Sequence, residues 1–277
     1  MLTGKLQSTH TSPPLGSLES CPMIEQTANP ALIIEALSGL ELTGRARTHV
    51  QDAPELGCLL HPAAATALLT MRAAAARDGI NLQPISGFRD FDQQLTIWNG
   101  KFRGDRVLLG GDSQPVNAAA LDESARVAAI LVWSALPGAS RHHWGSDCDL
   151  IDGNALPAGM RVELLSADYA PGGRYARLSA WLAIHAHAYG FFFPYDRDRG
   201  GVQPEPWHLS FAPVADAALT AMNVALLVEA LTSAEFAGRA TVLPQISQLF
   251  ARYVASVATA PCAALAAVAL SRAARLA

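Results

Sequence analysis

The chain has 277 residues, 51% of them hydrophobic and 16% charged, with 20 Lys and Arg against 24 Asp and Glu. A formal charge of −4 without any basic run excludes a nucleic-acid footprint, and the apolar fraction suffices for a packed core with an appendage. Cys21, Cys58, Cys148 and Cys262 show no C-x-x-C spacing, which excludes a cysteine zinc site and a disulfide framework and leaves small buried or half-buried thiols.

Residues 1–28 are rich in Ser, Thr and Pro and read as an irregular arm, without the basic start and apolar stretch of a secretory signal. Asn29-Pro30 supplies a cap and a first-turn proline for a helix through 31–34. His61-Pro62 opens a second helix, which Gly79 stops. The segment 81–88 (NLQPISGF) reads as a strand, and Asp90 with Gln93 forms a capping pair for a helix through Trp98. Gly110-Gly111 lacks a phosphate-loop context and reads as a loop, and 122–134 is a helix ended by Pro137-Gly138. A strand is expected over 144–151, an amphipathic helix over 174–189 closed by Gly190, and strands over 191–193 and 207–211. After Pro213 the pattern is helical and Ala-rich, with Gly238 its one glycine. Its most apolar stretch, 253–270, is interrupted by Pro261, and alanine adds little transfer energy, so no stable membrane insertion is expected.

Two clusters carry chemistry. Ser140-Arg141-His142-His143-Trp144-Gly145-Ser146-Asp147-Cys148-Asp149 runs from a loop into a strand, and Glu205-Pro206-Trp207-His208 precedes the last strand. Two histidines and one carboxylate make a three-ligand zinc site whose fourth position stays open for water. A glutamate three residues before a ligand can take the proton from that water. Each cluster alone arises often by chance. Together, in this order and each at a loop-to-strand junction, they are specific.

SRHHWGSDCD matches the pattern S-x-H-x-x-G-x-A-x-D at all but one fixed position, and EPWH matches E-x-x-H. The pair resembles the LAS-type zinc peptidases, particularly the D-alanyl-D-alanine carboxypeptidases of the VanY type. Ser86-Gly87-Phe88-Arg89 is similar to the family's S-G-Y-R segment, with Gln94 five residues on, and Tyr189-Gly190-Phe191 and Gly200-Gly201 extend the likeness. The resemblance implies zinc held by His142, Asp149 and His208, with Glu205 as general base. It implies Arg89 meeting the substrate's terminal carboxylate or the developing oxyanion, with Gln94 and Ser140 helping to hold the substrate, a peptidoglycan stem peptide. An arginine fork suits a free carboxylate because it pairs with both oxygens.

The implied fold is α+β, a small and mostly antiparallel sheet holding the zinc site and flanked by helices. An arm over 1–28, a peptidase domain over 29–213 and a helical extension over 214–277 complete it. Two departures stand out. Asp147 occupies the position of the pattern's small Ala. Residues 147 and 149 share a strand face, so Asp147 is open to three roles: orienting His142 or His143, capping the adjacent loop, or replacing Asp149 as ligand. LSFAP after EPWH departs from the family's aromatic-Arg-Tyr-Val-Gly run, which bears on substrate subsites rather than on the metal.

Other residues weigh less. His143 reads as an oxyanion contact or as a histidine behind the metal or on the surface; His185 and His187, two apart on a helix, make a poor metal pair. Trp144 and Trp207 read as cleft or core, and 196–199 as a solvated turn. Three activities remain open: a D,D- or L,D-carboxypeptidase, a peptidoglycan endopeptidase, and a zinc-bearing wall-binding module without catalysis. Arg89 favours the first, since an endopeptidase has no terminal carboxylate to read, and Glu205 argues against the last.

Overall fold

The computed structural model describes residues 34–261 and 264–265. The arm over 1–28, the Asn29-Pro30 helix start, Cys21, Cys262 and the end of the 253–270 stretch lie outside the described residues.

A short helix α1 (Gly39–Leu42), capped by Ser38, precedes a hairpin of β1 (Gln51–Ala53) and β2 (Cys58–Leu60). Helix α2 (Pro62–Arg77) starts from His61 and stops before Gly79, whose φ of +73° is the left-handed geometry that ends it. Strand β3 (Leu82–Ser86) leads to α3 (Phe91–Arg103), where Asp90 and Gln93 cap each other reciprocally. This helix continues past Trp98, because Gly100 packs on the Arg106 stem and the left-handed residue is Gly104. A ribbon of β4 (Leu108–Leu109) and β5 (Pro115–Val116) holds the Gly110-Gly111 loop, and α4 (Glu123–Leu131) is capped by Asp122.

Strand β6 (Asp147–Asp152) starts later than expected, since Arg141–Trp144 forms a 3-10 turn instead of entering the strand. Helices α5 (Ser166–Tyr169) and α6 (Ala176–His185) follow, the latter running through one 3-10 turn to Gly190. Strands β7 (Phe191–Phe192) and β8 (His208–Phe211) complete the sheet. Helices α7 (Ala212–Ala221), α8 (Val224–Thr232), α9 (Arg239–Val242) and α10 (Ile246–Phe250) come last, so Pro213 stands in the first turn of α7.

The main sheet has the order β3-β6-β8-β7, antiparallel throughout. The sequence Asp-Cys-Asp-Leu of β6 alternates, and the alternation is physical. Cys148 and Leu150, with Leu209 and Phe211 of β8, pack into one core with Leu68 and Met71 of α2 and Leu178 of α6. Asp147, Asp149, His208 and Ser210 therefore take the opposite face. Each aliphatic so buried contributes roughly 1.5–3 kcal/mol, and a one-residue slip would drive the carboxylates into that core.

A second core joins α3 and α4 to the later helices through Trp98, Phe102, Ile130, Leu227 and Leu231. Trp98 Nε1 donates to Ala237 O at 2.8 Å, and Asn99 Oδ1 accepts from Ala237 N at 2.8 Å, so α3 grips this segment by its main chain. Among the described residues no single helix is long and apolar enough to cross a membrane, and the apolar α7–α8 pair is bent by 81°.

Candidate metal centre and cleft

Strands β6 and β8 are neighbours in a register that sets Asp149 opposite His208 and Asp147 opposite Ser210. Two rows of polar residues thus lie on one face. The 3-10 turn brings His142 over the outer row and is closed by Gly145 at φ +65°. A Cβ at Gly145 would lie 2.4 Å from Val50 and 2.8 Å from His61 N, so only glycine fits.

The donor atoms of His142, Asp149 and His208 lie within 4.8 Å of one another, and all three residues are buried. His142 Nε2 is 3.4 Å from Asp149 Oδ2, and His208 Nδ1 is 3.2 Å from Asp149 Oδ1. His142 Nδ1 donates to Gly87 O at 2.8 Å, which leaves the Nε2 lone pair facing the group. Asp149 Oδ1 is buried without a hydrogen-bond partner. A buried carboxylate oxygen lacking donors is costly unless a cation compensates it. The donor set, its convergence and this orphaned oxygen fit a divalent metal ion.

The electrostatics agree. Burial alone would raise the Asp149 pKa, but His142 and His208 hold it well below the usual carboxylate range. Burial alone would lower that of His208, but its hydrogen bond to Asp147 and the Asp149 and Glu205 carboxylates beside it push it well above the usual value.

Glu205 and His208 are joined by a turn, with His208 N donating to Glu205 O at 3.1 Å, and this sets their side chains together. Glu205 Oε2 is 3.2 Å from His208 Nδ1. Arg89 and Ser140 line the same cleft, of about 280 Å³, with Glu205 and the three donor residues.

Arg89 is held from behind: Nη1 donates to Gln94 Oε1 at 2.8 Å and Nη2 to Ser86 Oγ at 3.1 Å. Gln94, 1% exposed, spends its amide NH2 on Ala135 O at 2.7 Å. Both ends of the Gln94 amide are thus spent on the protein, and its oxygen holds Arg89. His143 is fully buried, its Nδ1 donating to Arg89 O at 2.6 Å and its Nε2 accepting from Gly138 N at 3.1 Å. It is a structural tie, neither a surface group nor an oxyanion contact. Trp144 packs in the second core while Trp207 lines the cleft, stacked on Trp133 with ring centroids 6.0 Å apart. His185 packs against Trp181 with the rings tilted by 31° and His187 is exposed, so they form no pair.

Three cleft residues escaped sequence reasoning. Lys101 donates to Ser134 Oγ at 2.7 Å, and burial pushes its pKa down to about 8. It lies seven positions after Gln94 on the same side of α3, beyond Trp98, where the sequence pattern ends the helix. Tyr195 packs edge-on against His208 with centroids 5.0 Å apart, and burial pushes its phenol up to about 12. Arg141 sits inside the motif itself, hidden because its position is variable in the pattern.

The fold is α+β, and its cleft holds a His/Asp/His group that fits a metal ion. A family model described as D-alanyl-D-alanine carboxypeptidase (VanY) matches residues 57–214, more than half of the chain, and the chain belongs to that family. An uncharacterized protein of Haemophilus influenzae is 31% identical over 121 residues, 43% of this chain and 92% of its own length. Among solved structures, a mutant of the vancomycin-resistance D,D-pentapeptidase VanY in complex with Zn(II) has a TM-score of 0.44 and 22% identity, covering 62% of this chain and 82% of that one. The LdcB LD-carboxypeptidase has a TM-score of 0.43 and 22% identity over 64% of this chain and 74% of its own.

Proposed function

We propose that the chain is a zinc-dependent carboxypeptidase that removes a C-terminal D-alanine from peptidoglycan stem peptides, in the D,D or the L,D sense. The observation that carries this reading is Glu205, 3.2 Å from His208 Nδ1 beside the His142–Asp149–His208 group, in one cleft with Arg89. A purely structural metal site has no use for a spare carboxylate, which counts against a non-catalytic wall-binding module.

His142, Asp149 and His208 would hold zinc, which when bound supplies a Lewis acid for the scissile carbonyl and lowers the pKa of the attacking water. Arg89 pairs with the terminal carboxylate through the guanidinium edge that Gln94 and Ser86 leave free, fixing which peptide bond lies over the site. Glu205 takes a proton from the water as its oxygen bonds to the carbonyl carbon. It returns that proton to the amide nitrogen as the carbon–nitrogen bond breaks, releasing D-alanine. Trp133 and Trp207 exclude water from one wall.

Purified penta- and tetrapeptide stems, incubated with and without a chelator and read by mass spectrometry, test the reading. Loss of one terminal alanine, abolished by the chelator and restored by zinc, is expected. Cleavage inside the peptide, or equal cleavage of a C-terminally amidated peptide, would mark an endopeptidase instead.

A further inference from the structure

Behind the donor group lies the second polar row, with a residue that departs from the family pattern at its centre. Asp147 is completely buried and surrounded by donors. Its Oδ2 accepts from Arg141 Nε at 2.8 Å and His208 Nε2 at 2.8 Å; its Oδ1 accepts from Ser210 Oγ at 2.7 Å and from Ser146 Oγ. Arg141, 3% exposed, also donates through Nη2 to Ser210 Oγ at 2.5 Å. A carboxylate has about four lone-pair sites, and all four of Asp147 are in use. Asp149, by contrast, has an oxygen without a donor. This accounting separates the two aspartates: Asp147 has nothing left to offer a metal.

We propose that Arg141 and Asp147 form a buried clamp that fixes the tautomer and ring angle of His208, with Asp147 as a positioning residue for the metal site. The proposal rests on the reading that His208 is a metal ligand. In the register of β6 and β8, Asp147 stands diagonally from His208, which lets the imidazole lean across and donate Nε2–H. The other ring nitrogen, Nδ1, is thereby the one turned toward Asp149 and Glu205, where it would offer its lone pair to a metal ion. Arg141 is the second half of the device. It neutralises Asp147 where an unpaired buried carboxylate would be untenable, and it withholds that carboxylate from the metal. Asp147 therefore does not serve His142 or His143, nor does it replace Asp149. An alanine at 147 would strand both Arg141 Nε and His208 Nε2–H, so the two residues function as a unit.

The test is ring-nitrogen NMR on the protein labelled at histidine nitrogen, together with zinc affinity by chelator competition for the wild type, Asp147→Asn and the double variant Arg141→Met/Asp147→Ala. In the zinc form of the wild type, His208 should carry an exchange-protected proton on Nε2 and none on Nδ1. The variants should bind zinc roughly 10- to 100-fold more weakly. A His208 proton on Nδ1, or folded variants with unchanged zinc affinity, would overturn the clamp. Should the variants not fold, the wild-type proton decides alone. A wild type that binds no zinc overturns the metal reading and the clamp with it, whereas zinc bound with the affinity unmoved by the variants overturns the clamp only.

Discussion

Arg89 Nη1 donates to Gln94 Oε1 at 2.8 Å, so the cation that faces the cleft is aimed by an amide that does not. A hydrogen bond to a charged group contributes about 1.5–3 kcal/mol. Gln94→Leu, of similar size, should therefore reduce kcat/KM on stem peptides by about tenfold to a hundredfold, chiefly through KM. Steady-state kinetics on the tetra- and pentapeptide check this, and an unchanged KM would show that Arg89 is aimed by Ser86 alone.

Glu205→Gln should leave a folded protein that retains zinc and loses cleavage by roughly 10²- to 10⁴-fold. Metal content and turnover, measured on the same sample, separate loss of the base from loss of the ion. Undiminished turnover would eliminate Glu205 as base.

Arg89→Ala should abolish the distinction between free and amidated C-termini. The unmutated protein is expected to cleave the amidated peptide far more slowly, and the variant to treat both alike at the lower rate. Competition between the two peptides, read by mass spectrometry, gives the ratio directly.

His61 caps α2 with a neutral ring, its Nδ1 accepting from Ala63 N at 3.3 Å. Burial, with the nearby His49, pushes its pKa down to about 4 from the ordinary 6.5. The unfolded chain thus takes up this proton first as pH falls. The stabilisation is complete above pH 6.5 and is lost progressively toward pH 4. His61→Asn keeps the cap and removes the titration. Urea midpoints at pH 7 and pH 5, in chelator, should fall less for the variant than for the wild type.

Trp98→Phe removes the donor to Ala237 O and some buried volume. The expected loss is about 1–3 kcal/mol of stability, measured by urea unfolding, with the metal site intact.

The His142–Asp149–His208 group was legible because its residues sit in short segments whose spacing and order are unusual, and because the Asp-Cys-Asp-Leu alternation of β6 declares which face is polar. Glycines and caps marked α2 and the start of α3 for the same local reason. The errors have long-range causes. Asn99-Gly100 looks like a helix end, yet Arg106 and the second core carry α3 to Gly104, and Lys101 reaches the cleft only on that extra turn. Trp144 has a strand-forming side chain, but the close approach of Val50 and His61 at Gly145 forces a turn there. The resemblance implies a substrate role for Gln94 but gives no sign of its depth, which is set by Ala135 and Arg89 closing on its amide. The role of Asp147 depends on a cross-strand diagonal, which exists only once β6 has paired with β8.

The grip of Trp98 and Asn99 on Ala237 has a consequence for anyone seeking a minimal fragment. The family-matched span 57–214 contains every proposed ligand, the proposed base and the proposed carboxylate reader. Cut there, however, α3 and α4 would show solvent the apolar surface that Leu227, Leu231 and Phe236 now cover. Such a fragment would carry all the chemistry and yet be prone to aggregate. In this chain the boundary of the motif and the boundary of the folding unit do not coincide.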